Sequence, residues 1–135
     1  MVLVNFTAPT ERKTAKDYLD EAHAVVPKIS TEEGIAKHET GNTVFVDVRD
    51  SGAIASSGTI AGAELVQRGM IEFLADDTHP LHNAALTKGA DIVLVCGAGG
   101  QAALSGKTLK EMGFLNVSNV GGFASWKDAG GPVED

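Results

Sequence analysis

The sequence has a single cysteine, few aromatic residues and few basic residues, and each shortage excludes a class of protein. One cysteine in 135 residues excludes an internal disulfide and a zinc site built from several thiolates. A formal net charge of −7 argues against a nucleic-acid surface and against anionic lipid as a partner. No apolar run approaches the length of a membrane-spanning helix. We therefore expect a protein of a reducing compartment, the cytoplasm, that binds neither nucleic acid nor membrane.

The first part of the chain predicts one amphipathic helix. Thr14 and Asp17 form the pattern of a capping box, and apolar residues then recur at helical spacing as far as Pro27. Before this helix, apolar residues alternate as in a short edge strand, at Val2, Val4 and Phe6. We predict an N-terminal extension containing the helix, residues 1–26, followed by a domain, residues 27–135. The helix has two candidate partners, its own domain or a second copy of the chain.

After residue 27, strand patterns alternate with helix patterns. Apolar and β-branched runs predict strands at 43–48, 63–66, 91–95 and 116–120. Helical patterns or cap signals occur at 30–38, 67–74, 80–86, 102–112 and 122–129, and small residues with glycines predict a loop at 51–63. This alternation predicts an α/β fold with a mostly parallel sheet and helices on both faces. In such sheets ligands bind beyond the carboxyl ends of the strands.

The cysteine lies at one of these predicted strand ends. The apolar run 91–95 leads directly into Cys96, and a glycine-rich turn then opens a helix, with the residues Gly97, Ala98, Gly99, Gly100, Gln101 and Ala102. A thiol in this position faces backbone N–H groups and the positive end of a helix, which both favour the thiolate. The pattern allows two interpretations, a reactive nucleophile or a small buried hydrophobic residue.

The turn after Cys96 carries no charged side chain, so any cation must come from elsewhere. Arg49 and Arg68 each follow a predicted strand, and both are candidate anion contacts. The alternative for Arg49 is a tie between loops through a carboxylate, and for Arg68 a solvated side chain. His79 and His82 lack a third ligand nearby in sequence, so we expect no metal site.

Several segments of the chain, in their order and spacing, resemble the single-domain rhodanese family. These segments are Asp47-Val-Arg49, Gly58-Thr-Ile-Ala-Gly-Ala63, Val93-Leu-Val-Cys96-Gly-Ala-Gly-Gly, Gly121-Gly-Phe-x-x-Trp126 and Ala129-Gly-Gly-Pro-Val-Glu134. The resemblance implies a rhodanese-like domain with a mostly parallel five-stranded sheet, and a sulfurtransferase that uses no cofactor. By position, Cys96 matches the cysteine that carries sulfur as a persulfide, and residues 97–102 match the loop around the outer sulfur. The implied donors are thiosulfate, a small persulfide or a persulfide on another protein, and the implied acceptors are a thiol or cyanide.

Two positions depart from the family pattern. Gln101 stands where members that use thiosulfate usually carry arginine or lysine, and Thr59 stands where many carry histidine. A charge-assisted hydrogen bond is about twice as strong as a neutral one, so we expect weak thiosulfate affinity. The alternative function is a catalytically silent rhodanese-like binding or sensor module. Phosphatase or arsenate reductase chemistry is disfavoured, because it needs a loop arginine that neither Gln101 nor Ala102 supplies.

Overall fold

The computed structural model describes residues 11–135, so the alternation at Val2, Val4 and Phe6 lies outside the described residues. Helices and short strands follow one another in the order α1 (Ala15–Val25), α2 (Thr31–Thr40), β1 (Thr43–Asp47), α3 (Ser51–Ser57), β2 (Thr59–Ile60), β3 (Glu64–Leu65), α4 (Ile71–Leu74), β4 (Asp91–Cys96), α5 (Gly100–Glu111), β5 (Asn116–Gly122), α6 (Phe123–Asp128) and β6 (Val133–Glu134). A 3-10 turn, Arg68–Met70, precedes α4. Within residues 11–135, no helix is long and apolar enough to cross a bilayer.

The central sheet is parallel, with the strand order β3-β1-β4-β5. Asp47 lies opposite Leu65 of β3 and Val95 of β4, so the carboxyl ends of these strands meet at one edge. Beyond β5, a single parallel bridge from Lys28 to Asn119 stands in place of a fifth regular strand. Strands β2 and β6 form a separate antiparallel pair. The predicted fold class, a rhodanese-like α/β domain with a mostly parallel sheet, is confirmed.

Helices cover both faces of the sheet and bury two apolar clusters. One cluster, which includes Leu94 and Leu109, lies between the sheet and α4 and α5. The other, which includes Phe45, Val93 and Trp126, lies towards α2 and α6. Neighbouring residues of β4 therefore enter opposite clusters, as the alternation of side chains along a strand requires. Burial on both faces explains why this strand is a continuous apolar run.

Helix α1 packs along α5 of the same chain. Leu19 lies 3.5 Å from the position that a Cβ on Gly100 would occupy, and Val26 lies 2.9 Å from the corresponding position on Gly106. Since both contacts advance in the same chain direction, the two helices run parallel, and the first turn of α1 extends past the start of α5. Helix α1 therefore packs on its own domain, the first of the two candidate partners. The division of the chain at residues 26 and 27 stays a prediction.

The helix boundaries predicted from caps are confirmed. The Thr14 side chain accepts a hydrogen bond from the Asp17 N–H while the Asp17 carboxylate accepts one from the Thr14 N–H, and these bonds lower the pKa of Asp17. Ser30 caps α2, which ends at Gly41 with a left-handed φ of 75°. Local hydrogen bonds therefore set both ends of the segment that leads into the sheet.

Two predictions for the middle of the chain are wrong. The first part of the predicted loop 51–63 forms α3, because the Asp50 side chain accepts a hydrogen bond from the Ala53 N–H and caps the helix. The predicted helix at 80–86 is instead a series of turns. There the Asn83 N–H donates to the carbonyl of Leu74 at 2.8 Å, which ties the segment back to α4 rather than into its own helix.

Gly34 lies where α2 packs closely on the rest of the domain. A Cβ at this position would lie 2.7 Å from Cγ2 of Val120 and 3.0 Å from the ring of Trp126. We expect Gly34→Ala to lower the free energy of unfolding, because overpacking costs about 1–3 kcal/mol. The higher helix propensity of alanine offsets about 1 kcal/mol of this cost. The matched control is Gly69→Ala, whose Cβ meets nothing within 4 Å. Urea denaturation tests both variants, and a Gly34→Ala protein as stable as the wild type would contradict the packing argument.

Candidate active site around Cys96

Cys96 lies at the carboxyl edge of the sheet, as the last residue of β4. On one side it is paired with Gly122 of β5. On the other side the Val48 N–H donates to the carbonyl of Val95 at 3.1 Å, and the Arg68 N–H donates to the carbonyl of Val48 at 3.0 Å. Backbone pairing therefore brings the ends of three chain segments together beside the cysteine.

The sulfur of Cys96 accepts a hydrogen bond from the backbone N–H of Gly99, with an N···Sγ distance of 2.9 Å. Gly99 has a φ of 97°, a left-handed conformation that glycine adopts without strain. It also caps α5, so the turn that carries this N–H leads directly into a helix of 12 residues. A backbone donor and the positive end of a helix dipole thus both stabilise negative charge on the sulfur.

The cysteine and its loop differ in exposure. Cys96 is buried and packs with the apolar cluster between the sheet and α5. Gly97 and Ala98, which follow it, are exposed, and so is Gln101 in the first turn of α5. Gly99 and Ala102 are buried, and Gly100 is partly buried beside Leu19 of α1. The arrangement combines features of both sequence interpretations, since the thiol is packed like a core residue and hydrogen-bonded like a nucleophile.

Asn119 and Gly122 hold the loop in place, and the sequence reasoning missed the role of both. The buried Asn119 side chain donates from Nδ2 to the carbonyl of Gly99 at 3.0 Å. A Cβ on Gly122 would collide with the carbonyl oxygen of Gly97, so only glycine fits this strand end. One signal was available for Asn119, because it stands two residues after the buried Val117, where a polar side chain in a strand needs a partner.

Arg49 is bound to Asp47 rather than open to the loop. The guanidinium donates to both carboxylate oxygens of the fully buried Asp47, at 3.0 Å from Nε and 2.7 Å from Nη2. It also donates to Oγ of Ser57 and to the carbonyl of Gly58, each at 2.8 Å. Thr59, in the position where the resemblance implies histidine, donates its hydroxyl to Asp47 at 2.7 Å. Arg49 therefore ties loops together through a carboxylate, which is the alternative role predicted for it from the sequence.

Arg68 lies two strand positions away from Cys96 along the edge. Its guanidinium makes a weak ion pair with Glu72, at 3.4 Å, and the side chain is 32% exposed. Of the two arginines predicted as anion contacts, Arg68 makes the longer and more exposed ion pair.

A shallow, mostly apolar cleft of about 230 Å³ opens at the same edge of the sheet. It lies between α3 and the end of β3, and its lining residues are Arg49, Ser51, Ile54, Ala55, Leu65 and Gln67. Leu65 is 55% exposed there, so an organic group entering the cleft would cover apolar surface.

The two histidines considered as metal ligands make local contacts. Nδ1 of His79 accepts a hydrogen bond from the Leu81 N–H at 3.1 Å, and Nε2 of His82 lies 3.2 Å from the carbonyl of Leu86. In the part of the chain that the structure describes, no three His, Cys, Asp or Glu side chains are grouped to hold a metal ion.

The fold and the site define an α/β protein with a thiol held in a backbone-lined loop at the carboxyl edge of a parallel sheet. The family model described as Rhodanese-like domain matches residues 30–129 of the chain. The chain therefore belongs to the rhodanese-like domain family. No curated protein matches it.

Several solved structures are similar to this one. A Rhodopseudomonas palustris protein described as of unknown function and a possible tyrosine phosphatase is 36% identical with a TM-score of 0.86, over 96% of this chain and 100% of that chain. The polysulfide-sulfur transferase homodimer of Wolinella succinogenes is 27% identical with a TM-score of 0.71, over 89% and 86% of the two chains. A human single-domain sulfurtransferase is 21% identical with a TM-score of 0.64, over 76% and 96%, and shows the fold alone.

The Asp47–Arg49 pair gives a test of the site's framework. We expect Asp47→Ala to lower the free energy of unfolding by about 3–5 kcal/mol, because it leaves Arg49 buried without its carboxylate. Replacing both residues, with Arg49→Met added, should recover part of the loss. The control is Asp20→Ala, which removes the exposed Lys16–Asp20 pair and should cost less than about 1 kcal/mol. Equal losses for Asp47→Ala and Asp20→Ala in urea denaturation would contradict this account.

Proposed function

We propose that the protein is a sulfurtransferase that carries sulfane sulfur as a persulfide on Cys96 and passes it to a thiophilic acceptor. The observation that carries the proposal is the hydrogen bond from the Gly99 N–H to Sγ of Cys96, in a glycine turn whose residues Gly97 and Ala98 are exposed. Two similar structures bear sulfurtransferase names, the Wolinella succinogenes enzyme and the human single-domain protein, of which the second supports the fold alone. A free thiol as the working group suits a reducing compartment such as the cytoplasm.

The reaction consists of two sulfur transfers through one covalent intermediate. The Cys96 thiolate attacks the outer sulfur of a persulfide donor, the donor's S–S bond breaks, and the outer proton leaves with the departing thiol. With thiosulfate the same attack releases sulfite. The outer sulfur of the Cys96 persulfide is then taken by a thiol, which becomes a persulfide, or by cyanide, which becomes thiocyanate. Each cycle restores the thiolate, so no redox cofactor or metal is required.

The loop supplies dipoles for the persulfide anion. In this proposal the N–H groups of residues 97–102 surround the outer sulfur, as a concave nest at a helix N-terminus surrounds an anion. Gly97, Ala98, Gly99 and Gly100 bring the backbone close, and Ala102 closes the first turn of α5. Gln101 contributes a neutral amide from an exposed position.

The lack of a charged loop side chain favours a persulfide donor over thiosulfate. Thiosulfate brings two negative charges, and neutral donors lack the Coulomb attraction that a loop arginine or lysine would add. The sulfur-donating group of an organic persulfide brings at most one negative charge, and in this proposal the organic part occupies the apolar cleft beside Leu65. Arg68 is the cation that we assign to any remaining anion contact, while Arg49 holds the loops together through Asp47.

Two other functions have specific support. The uncharged Gln101 suits a catalytically silent binding or sensor module that uses the same nest without turnover. The Rhodopseudomonas palustris protein is described as a possible tyrosine phosphatase, which raises phosphatase chemistry for this chain as well. That chemistry needs a loop cation to stabilise phosphate in the transition state, and residues 97–102 contain none.

Treatment with a persulfide donor should add one sulfur to the protein. We expect the intact mass to rise by one sulfur atom, and cyanide to remove that atom as thiocyanate. Cys96→Ser should show no gain, because the attacking sulfur is absent. Equal labelling of Cys96→Ser would sink the sulfurtransferase proposal. A wild type that takes sulfur from no donor would favour the binding module, and Cys96-dependent hydrolysis of an aryl phosphate would favour the phosphatase.

A cation in the loop should improve the use of thiosulfate. We expect Gln101→Arg to raise kcat/KM for thiosulfate by about tenfold, since the guanidinium adds a Coulomb attraction for the anion. Turnover of an uncharged persulfide should change much less. Asn116→Arg is the control for net charge, because it adds the same charge at an exposed position on the opposite edge of the sheet. No gain for Gln101→Arg, or an equal gain for Asn116→Arg, would show that the missing charge does not limit thiosulfate use.

A further inference from the structure

Asn119 is a buried polar residue that joins two parts of the molecule through its side chain. Its residue exposure is 1%, and it lies in β5, 20 positions after Gly99 in the chain. Nδ2 donates to the carbonyl of Gly99 at 3.0 Å, while Oδ1 accepts from the Gly121 N–H at 2.8 Å. Both ends of the amide are therefore used, and they fix which way the side chain points.

The first of these contacts acts on the residue that holds the cysteine sulfur. Gly99 presents its N–H to Sγ of Cys96 at 2.9 Å and its carbonyl to Nδ2 of Asn119. That carbonyl also accepts the Ala103 N–H at 3.0 Å, in the first turn of α5. Gly99 has a left-handed φ and no side chain, so its orientation depends on the contacts of its backbone. The amide of Asn119 therefore contributes to aiming the Gly99 N–H at the sulfur.

The second contact acts on the strand beside the cysteine. Pairing with β4 is regular as far as Asn119, which faces Leu94, and then skips Val120, so that Gly121 faces Val95. This extra residue is a β-bulge, a feature that re-aims a strand next to functional sites. The bond from the Gly121 N–H to Oδ1 of Asn119 spans the bulge. It supports the placement of Gly122, whose Cα lies against the carbonyl of Gly97.

We propose that Asn119 is the positioning residue of the sulfur-carrying loop, which sets the reactivity of Cys96 by holding Gly99 from one amide end and the β5 bulge from the other. Its backbone is also paired, with the Asn119 N–H donating to Pro27 and its carbonyl accepting from Ile29. A substitution at 119 keeps these backbone bonds, so the effect of the amide can be measured separately. This role of Asn119 rests on the proposed function, in which Cys96 is the thiol that carries the sulfur.

Alkylation of Cys96 by iodoacetamide tests the proposal without any sulfur transfer. The rate depends on the thiolate, and the chain has no other cysteine. We expect Asn119→Ala to slow alkylation near neutral pH by about tenfold, the effect of losing about one hydrogen bond to a charged group, and to move the half-maximal rate to higher pH. Asn119→Asp should have at least as large an effect, because it keeps the acceptor for Gly121 but turns a carboxylate oxygen towards the Gly99 carbonyl.

Asn116→Ala is the matched control, since it removes an exposed asparagine from the other end of the same strand. Circular dichroism and thermal unfolding establish that each variant is folded before its rate is compared. Folded Asn119→Ala and Asn119→Asp proteins with the wild-type rate and pH profile would overturn the proposal. So would a loss of rate in Asn116→Ala equal to theirs.

A measurement on the wild type decides the question if neither variant folds. Alkylation of Cys96 should shift the NMR signals of the Asn119 side-chain amide, because the two groups are linked through Gly99. Unchanged Asn119 signals would count against the link. The two proposals also fail separately. Slow alkylation of the variants with no sulfur uptake by the wild type would leave the positioning role and remove the sulfurtransferase, and normal alkylation with full uptake would do the reverse.

Discussion

Parallel pairing of β1, β4 and β5 is the constraint on which the whole site depends. Because the three strands run in the same direction, Asp47, Cys96 and Gly122 arrive at one edge of the sheet although they are far apart in the chain. The bulge in β5 adds one residue before that edge and brings Gly122 against the carbonyl of Gly97. Burial of β1 and β4 on both faces fixes this register, since a slip by one residue would move every side chain to the wrong face.

Both arginines at this edge of the sheet form ion pairs with carboxylates. Arg49 is neutralised by Asp47 and lies over the ring of Phe123 at 4.5 Å, which makes the pair part of the framework. Arg68 has only a weak, partly exposed bond to Glu72. The group that contacts the Cys96 sulfur in the structure is a backbone dipole, the N–H of Gly99.

The sequence predicted the parts of the molecule that depend on local chemistry. The caps at Thr14 and Ser30 and the apolar run before Cys96 are read from neighbouring residues, and together they place the loop. Helix α3 was missed because its residues are small and polar and show no apolar period, although Asp50 was an available cap signal. The partner of the Asn119 side chain could not be predicted, because it lies in a loop 20 residues earlier. The bulge beside Asn119 has no local sequence pattern that predicts it. The resemblance to a family supplied the expected role of Cys96 in sulfur chemistry, and the geometry supplies a physical means for it.

Gly99 binds the sulfur of Cys96 through a peptide N–H and not through a side chain. Peptide dipoles neither gain nor lose protons, and residues 97–102 contain no titratable side chain. The polarity of the loop is therefore constant over the whole range of pH in which the protein stays folded. A change in pH therefore leaves the dipoles that face the Cys96 sulfur unchanged.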